Sequence, residues 1–125
     1  MARILLVDDD PLVRETLRQG LESDGHTVIE APDGEEALAA FDTHAVDLVI
    51  TDIVMPGREG LETIMALRRR EPDVNIIAIS GGSGANGIDY LSLARKFGAR
   101  NVLSKPFRKN EILAAVNEAL GCGDA

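Results

Sequence analysis

Between Ile4 and Leu120 the chain alternates five times between a short, mostly apolar run and a longer segment of helical period. The runs are ILLV (4–7), TVIEA (27–31), VDLVIT (46–51), NIIAIS (75–80) and NVLS (101–104). Several lack the polar alternate of a half-exposed strand, so they predict strands covered on both faces. Strict alternation of buried strand and helix implies parallel strands joined by right-handed crossovers, with helices on both faces of one sheet. Nothing else in the sequence narrows the fold as far.

The intervening segments carry their own punctuation. After Asp10-Pro11 come Val13, Leu17 and Leu21 at i, i+4 and i+8, and Gly25 stops the pattern. Pro11 suits a first helical turn, where its missing N–H is not needed. Asp33-Gly34 opens a second helix carrying Ala37, Leu38 and Phe41. Leu61, Ile64 and Leu67 mark a third, ended by Pro72. Leu91, Ala94 and Phe97 mark a fourth, closed by Gly98. Ile112, Leu113, Val116 and Leu120 mark a fifth, closed by Gly121. The expectation is one α/β domain over residues 1–125, with a core of about 3–120 and only the terminal GCGDA frayed.

Net charge is −8, from 13 basic and 21 acidic residues. General attraction to nucleic-acid phosphates or to an anionic membrane surface is therefore disfavoured; a basic partner or a metal cation fits better. The single Cys122 cannot form an internal disulfide. The apolar run after Arg3 is too short for a signal peptide, and no run approaches a membrane span. A cytoplasmic protein is expected.

In an open parallel sheet, ligands sit at the carboxyl ends of the strands. The first run ends in Asp8-Asp9-Asp10, the third in Thr51-Asp52, the fourth in Ser80, and the fifth in Ser104-Lys105-Pro106. Alone, each has an ordinary reading: Asp10 before Pro11 as a helix cap, Ser80 as a turn residue, Lys105 as a solvated cation. Together they gather acids, a hydroxyl and a lysine at one rim. Crowded carboxylates repel one another unless a cation neutralises them, and hard oxygen donors point to Mg²⁺ above all. A cation beside a carboxylate, a lysine and a hydroxyl is a site for a phosphoryl group.

The blocks ILLVDDDPLVR, DLVITDIVMPGREG, ISGG and VLSKPF resemble, in order, the signature blocks of receiver domains of two-component response regulators, the chemotaxis-regulator kind included. The likeness runs from about Arg3 to Leu120. It implies a flavodoxin-like, doubly wound sheet of strand order 2-1-3-4-5 with five helices. It implies that Asp52 is the phosphoacceptor, taking a phosphoryl group from a histidine kinase or a histidine phosphotransfer protein. Asp8, Asp9, Asp52 and the backbone carbonyl of Val54 would hold Mg²⁺. Lys105 would pair with Asp52 and then with the phosphoryl oxygens, turned into the site by a cis Lys105–Pro106 bond. Ser80 would be the switch hydroxyl, and the amides of Ile53 and Gly81 would add donors. Such a domain catalyses only its own phosphorylation and dephosphorylation. It signals through its fourth-helix and fifth-strand surface to a downstream protein, or relays the group onward, as a monomer or weak dimer. With only a few residues after the fifth helix, a stand-alone receiver or relay intermediate is expected.

Two positions depart from the family pattern. Val102 stands where an aromatic is usual, so the aromatic rotamer switch is missing. The loop after Ser80 is about three residues longer than usual for this fold. That loop contains Gly82-Ser83-Gly84-Ala85-Asn86-Gly87, which satisfies G-x-G-x-x-G. A dinucleotide site places this motif after the first strand, with an acid about 20 residues on. Here it follows the fourth run, and that distance reaches Phe107, with no acid before Glu111. Ile88 also excludes a P-loop lysine after Gly87. The glycines read instead as a loop able to close on a phosphoryl group held on Asp52.

An aspartyl-nucleophile phosphatase is the other reading of the acids. Its D-x-D-x-[TV] motif meets Asp8-Asp9-Asp10-Pro11-Leu12, where Pro11 and Leu12 replace small polar residues. His26 and His44 read as turn residues, and Arg68-Arg69-Arg70 as a solvated helix end whose cations suit the dipole.

Overall fold

A computed structural model of the chain describes residues 2–53, 59–80, 90–104 and 108–121. Five strands and five helices alternate along it. They are β1 (Arg3–Val7), α1 (Pro11–Ser23), β2 (Thr27–Ala31), α2 (Gly34–Thr43), β3 (Leu48–Asp52), α3 (Glu59–Arg70), β4 (Ile76–Ser80), α4 (Tyr90–Phe97), β5 (Asn101–Ser104) and α5 (Lys109–Leu120). All strand pairs are parallel, in the order β2-β1-β3-β4-β5. The doubly wound sheet that the resemblance implied is the observed one.

The pleat sorts the apolar runs onto two faces. Ile4, Leu6, Ile50, Ile77 and Ile79 pack with Leu17 and Leu21 of α1 and with Ile112 and Val116 of α5. Leu5, Val7, Val49, Ile76 and Ala78 pack with Ala37 of α2, Ile64 and Leu67 of α3, and Ala94 of α4. Successive residues of β1, β3 and β4 thus bury against opposite layers, which is why these runs carry no polar alternate. Full burial of each Leu or Ile contributes about 1.5–3 kcal/mol.

Local signals set the helix ends. Asp10 accepts from the Leu12 N–H at 2.9 Å and caps α1, and Asp33 accepts from the Glu36 N–H at 2.8 Å and caps α2. Each satisfies a donor that the first helical turn leaves unpaired. Gly98 and Gly121 close α4 and α5 at φ values of +124° and +73°, a region costly for any residue with a Cβ.

One boundary differs from the periodicity in a way that matters. The third apolar run was expected over 46–51, whereas β3 spans Leu48–Asp52. Asp47 is drawn to the start of β1: its N–H donates to the Arg3 carbonyl, and its carboxylate accepts from the Arg3 N–H, each at 2.8 Å. At the far end the strand closes with Asp52, in register with Ile79, as the Thr51-Asp52 ending implied. His26 is more than a turn residue. It is buried, and its Nδ1 accepts from the Ala2 N–H at 3.2 Å, tying the chain start to the turn after α1. His44 stays exposed at the end of α2, and Arg68, Arg69 and Arg70 are exposed.

Candidate functional site

The winding direction reverses between β1 and β3. The crossover from β1 leads to one side of the sheet, and the chain then returns to β1's other side. At such a switch point the helices diverge and leave a crevice beyond the strand ends. Val7 is in register with Thr51. Asp8 and Asp52, one residue further along each strand, therefore stand side by side at the mouth of that crevice.

Asp8, Asp9 and Asp52 each present one carboxylate oxygen, and the three oxygens lie within 4.8 Å of one another. Asp8 is fully buried and Asp52 is 4% exposed, while Asp9 is open to solvent. Asp10, the third acid of the run, turns away to cap α1. Asp8 Oδ1 accepts from the Asp10 N–H at 2.9 Å, and the Asp8 N–H donates to the Ala31 carbonyl at 3.2 Å. The loop after β1 is thus bound to both β2 and α1. Two buried carboxylates with a third beside them form an all-oxygen, strongly anionic donor set. That set fits a hard divalent cation such as Mg²⁺, which neutralises charges whose burial is otherwise costly.

Ser80 is fully buried at the end of β4, one residue beyond Ile79, the register partner of Asp52. The Ile53 N–H donates to the Ile79 carbonyl at 3.0 Å. Val54, Gly81, Lys105 and the Lys105–Pro106 bond lie outside the described residues, as does Gly82–Gly87. Val102 lies in β5, partly buried against the α2–α4 face of the core.

The sequence reading passed over Arg14. Its Nη1 donates to the Asp8 carbonyl at 2.6 Å, and its Nε donates to Glu30 Oε1 at 3.3 Å. Arg18 approaches the other oxygen of Glu30 at 3.5 Å. Nothing in the local pattern distinguishes Arg14 from a solvated helix residue. Only the crossover from α1 to β2 sets it against both partners.

The fold is a doubly wound α/β domain with a cluster of three acidic side chains at its switch point. The sequence profile for the response regulator receiver domain matches residues 4–117. The chain belongs to that family, the receiver domains of two-component response regulators. It is 38% identical over 120 residues to the transcriptional regulatory protein CpxR of Escherichia coli K12, covering 96% of this chain and 50% of that protein. It is 37% identical over 122 residues to the response regulator MprA of Mycolicibacterium vanbaalenii, covering 94% and 50%. The chain thus spans about half the length of these curated relatives. Among solved structures, the chemotaxis protein CheY4 of Vibrio cholerae superposes with a TM-score of 0.86 at 29% identity, over 96% of this chain and 99% of that one. TrrA of Thermotoga maritima, solved in complex with Mg²⁺ and BeF, superposes with a TM-score of 0.83 at 37% identity, over 96% and 100%. Receiver domains act as phosphoacceptors and signalling switches and bind Mg²⁺ at an acidic pocket. Among the described residues, no helix is long and apolar enough to cross a membrane.

Proposed function

We propose that this chain accepts a phosphoryl group on Asp52 from the phosphohistidine of a histidine kinase or a histidine phosphotransfer protein. It then signals through its α4–β5 surface or relays the group onward. The observation that carries this reading is the gathering of Asp8, Asp9 and Asp52 oxygens within 4.8 Å at the switch point, with Asp52 closing β3.

An Asp52 carboxylate oxygen attacks phosphorus, the P–N bond to the donor imidazole breaks, and the imidazole takes up a proton as it leaves. An acyl phosphate then stands on Asp52. Phosphoryl transfer passes through a loose, metaphosphate-like centre, so the chain contributes mainly position and charge. Mg²⁺, held by Asp8, Asp9, Asp52 and the Val54 carbonyl, would neutralise charge on the transferring oxygens. Lys105 would supply a second positive charge, pairing with Asp52 before transfer and with the phosphoryl oxygens afterwards. The Ser80 hydroxyl and the Gly81 amide donate to those oxygens. The Ile53 amide joins them only by sharing or releasing its bond to Ile79. The domain turns over no external substrate; it makes and loses its own phosphoryl group.

Intact-mass measurement after incubation with acetyl phosphate and Mg²⁺ tests this reading. One phosphoryl group per chain is expected, and none on Asp52→Asn. An Asp52→Asn protein that still gains a phosphoryl group would defeat the assignment. Sustained hydrolysis of phosphate esters would favour the phosphatase reading instead.

A further inference from the structure

We infer that Arg14, held by Glu30, positions the Asp8–Asp9 peptide and thereby sets the affinity of the acid pocket for a divalent cation. The inference rests on the reading of Asp8, Asp9 and Asp52 as a cation site, and it adds two residues that touch neither the cation nor the phosphoryl group.

Arg14 lies on the first turns of α1, Glu30 on β2, and Asp8 on the loop after β1. One guanidinium joins all three, with Nη1 on the Asp8 carbonyl at 2.6 Å and Nε on Glu30 at 3.3 Å. The Arg14 side chain is 17% exposed, so its bond to the Asp8 carbonyl is partly shielded from water, while its pairing with Glu30 lies at the surface. The Asp8 carbonyl belongs to the peptide that joins Asp8 to Asp9. A peptide unit is planar, so fixing its carbonyl also fixes the direction of the Asp9 N–H and of the bond into the Asp9 Cα. Asp9 needs that support. Its side chain is exposed, and among the described residues no hydrogen bond or ion pair holds its carboxylate. Asp8, by contrast, is buried and bonded to Asp10 and Ala31. The place of Asp9 therefore depends on its backbone, and Arg14 holds that backbone at the Asp8 carbonyl, beside the bonds from Asp10 N–H to Asp8 and from Asp8 N–H to Ala31.

Charge alone makes the opposite prediction. A guanidinium close to an anionic pocket repels a divalent cation, so on electrostatic grounds its removal tightens binding. Positioning predicts weaker binding, because groups that orient metal-ligating residues typically set affinity by 10–100-fold when lost. The sign of the change separates the two.

The test is calorimetric titration of Mg²⁺ into the unaltered protein, Arg14→Ala, Arg14→Lys and Glu30→Gln, with circular dichroism to confirm folding. Arg14→Ala is expected to bind about tenfold more weakly despite losing a positive charge, at the low end of that range because it acts through the backbone. Arg14→Lys keeps the charge, but its ammonium lacks the planar fork that reaches two partners, so it does not restore affinity. Glu30→Gln keeps Arg14 and the fold while replacing a charged acceptor by a neutral one, and weakens Mg²⁺ by a smaller factor. If Arg14→Ala and Glu30→Gln bind as tightly as the unaltered protein, or more tightly, the inference falls and the cation site stands. Full recovery with Arg14→Lys overturns it too, since any cation would then suffice. If the unaltered protein shows no heat of Mg²⁺ binding, both the inference and the site reading fall.

Discussion

Asp9→Asn should make the metal-free protein more stable while abolishing its response to Mg²⁺. Folding brings Asp9 to Asp8 and Asp52 with carboxylate oxygens inside 4.8 Å. Two unit charges at that separation repel by about 1 kcal/mol under water-like screening and by about 3 kcal/mol at an effective dielectric constant of 20. Asp9 is exposed, so the lower figure applies. Asp8 and Asp9 are neighbours in sequence and repel in the unfolded chain as well, so that pair largely cancels. The Asp9–Asp52 repulsion exists only in the folded state, and its removal should gain about 1 kcal/mol. For a domain of this size that is about 4 °C in thermal midpoint, measured in EDTA at low ionic strength. Added salt should shrink the gain, because exposed charges are screened. The unaltered protein should rise with Mg²⁺ as RT ln(1 + [Mg²⁺]/Kd), about 2.7 kcal/mol at a hundredfold excess over Kd, whereas Asp9→Asn should stay flat. A fall in the EDTA midpoint of Asp9→Asn, or a gain that ignores salt, would refute the repulsion argument.

Two further outcomes follow from the fold. Gly121→Ala meets nothing within 4 Å and should cost only its backbone strain, about 1 kcal/mol, whereas Gly98 sits at φ +124° and a Cβ there would meet the Arg68 side chain. Gly98→Ala should cost about 2 kcal/mol or more by denaturant midpoint, because φ +124° is more strained for a Cβ than φ +73° while the exposed Arg68 side chain can move away; equal costs at the two glycines would mean that this φ adds no strain. Val102 is short, stiff at χ1 and packed against the core, so it cannot swing as an aromatic would. Beryllofluoride, a phosphoryl mimic, should change amide-exchange protection across residues 81–90; unchanged protection there, with the change confined to β5, would show that the signal takes another route.

Much of this protein was legible in one dimension because the signals are local. Each apolar run, each cap at Asp10 and Asp33, and each closing glycine at Gly98 and Gly121 speaks for its own element, and the structure agrees. The acids and Ser80 stood out because each directly follows or ends an apolar run, and strand ends are where an open sheet places ligands. Strand order was not legible from periodicity, since the same alternation with right-handed crossovers serves several orders; it came from the resemblance and then from the pairing of β1 with both β2 and β3. Of the three consecutive aspartates, only Asp10 was set apart in the sequence, as a cap ahead of Pro11. The end of the sheet separates them into a buried acid, an exposed acid and a helix cap, because successive residues there face different surroundings. Arg14 and Glu30 lie sixteen positions apart and match no motif. Their meeting over the Asp8 carbonyl exists only because α1 returns the chain to lay β2 beside β1, and a distance between remote residues is a property of that packing.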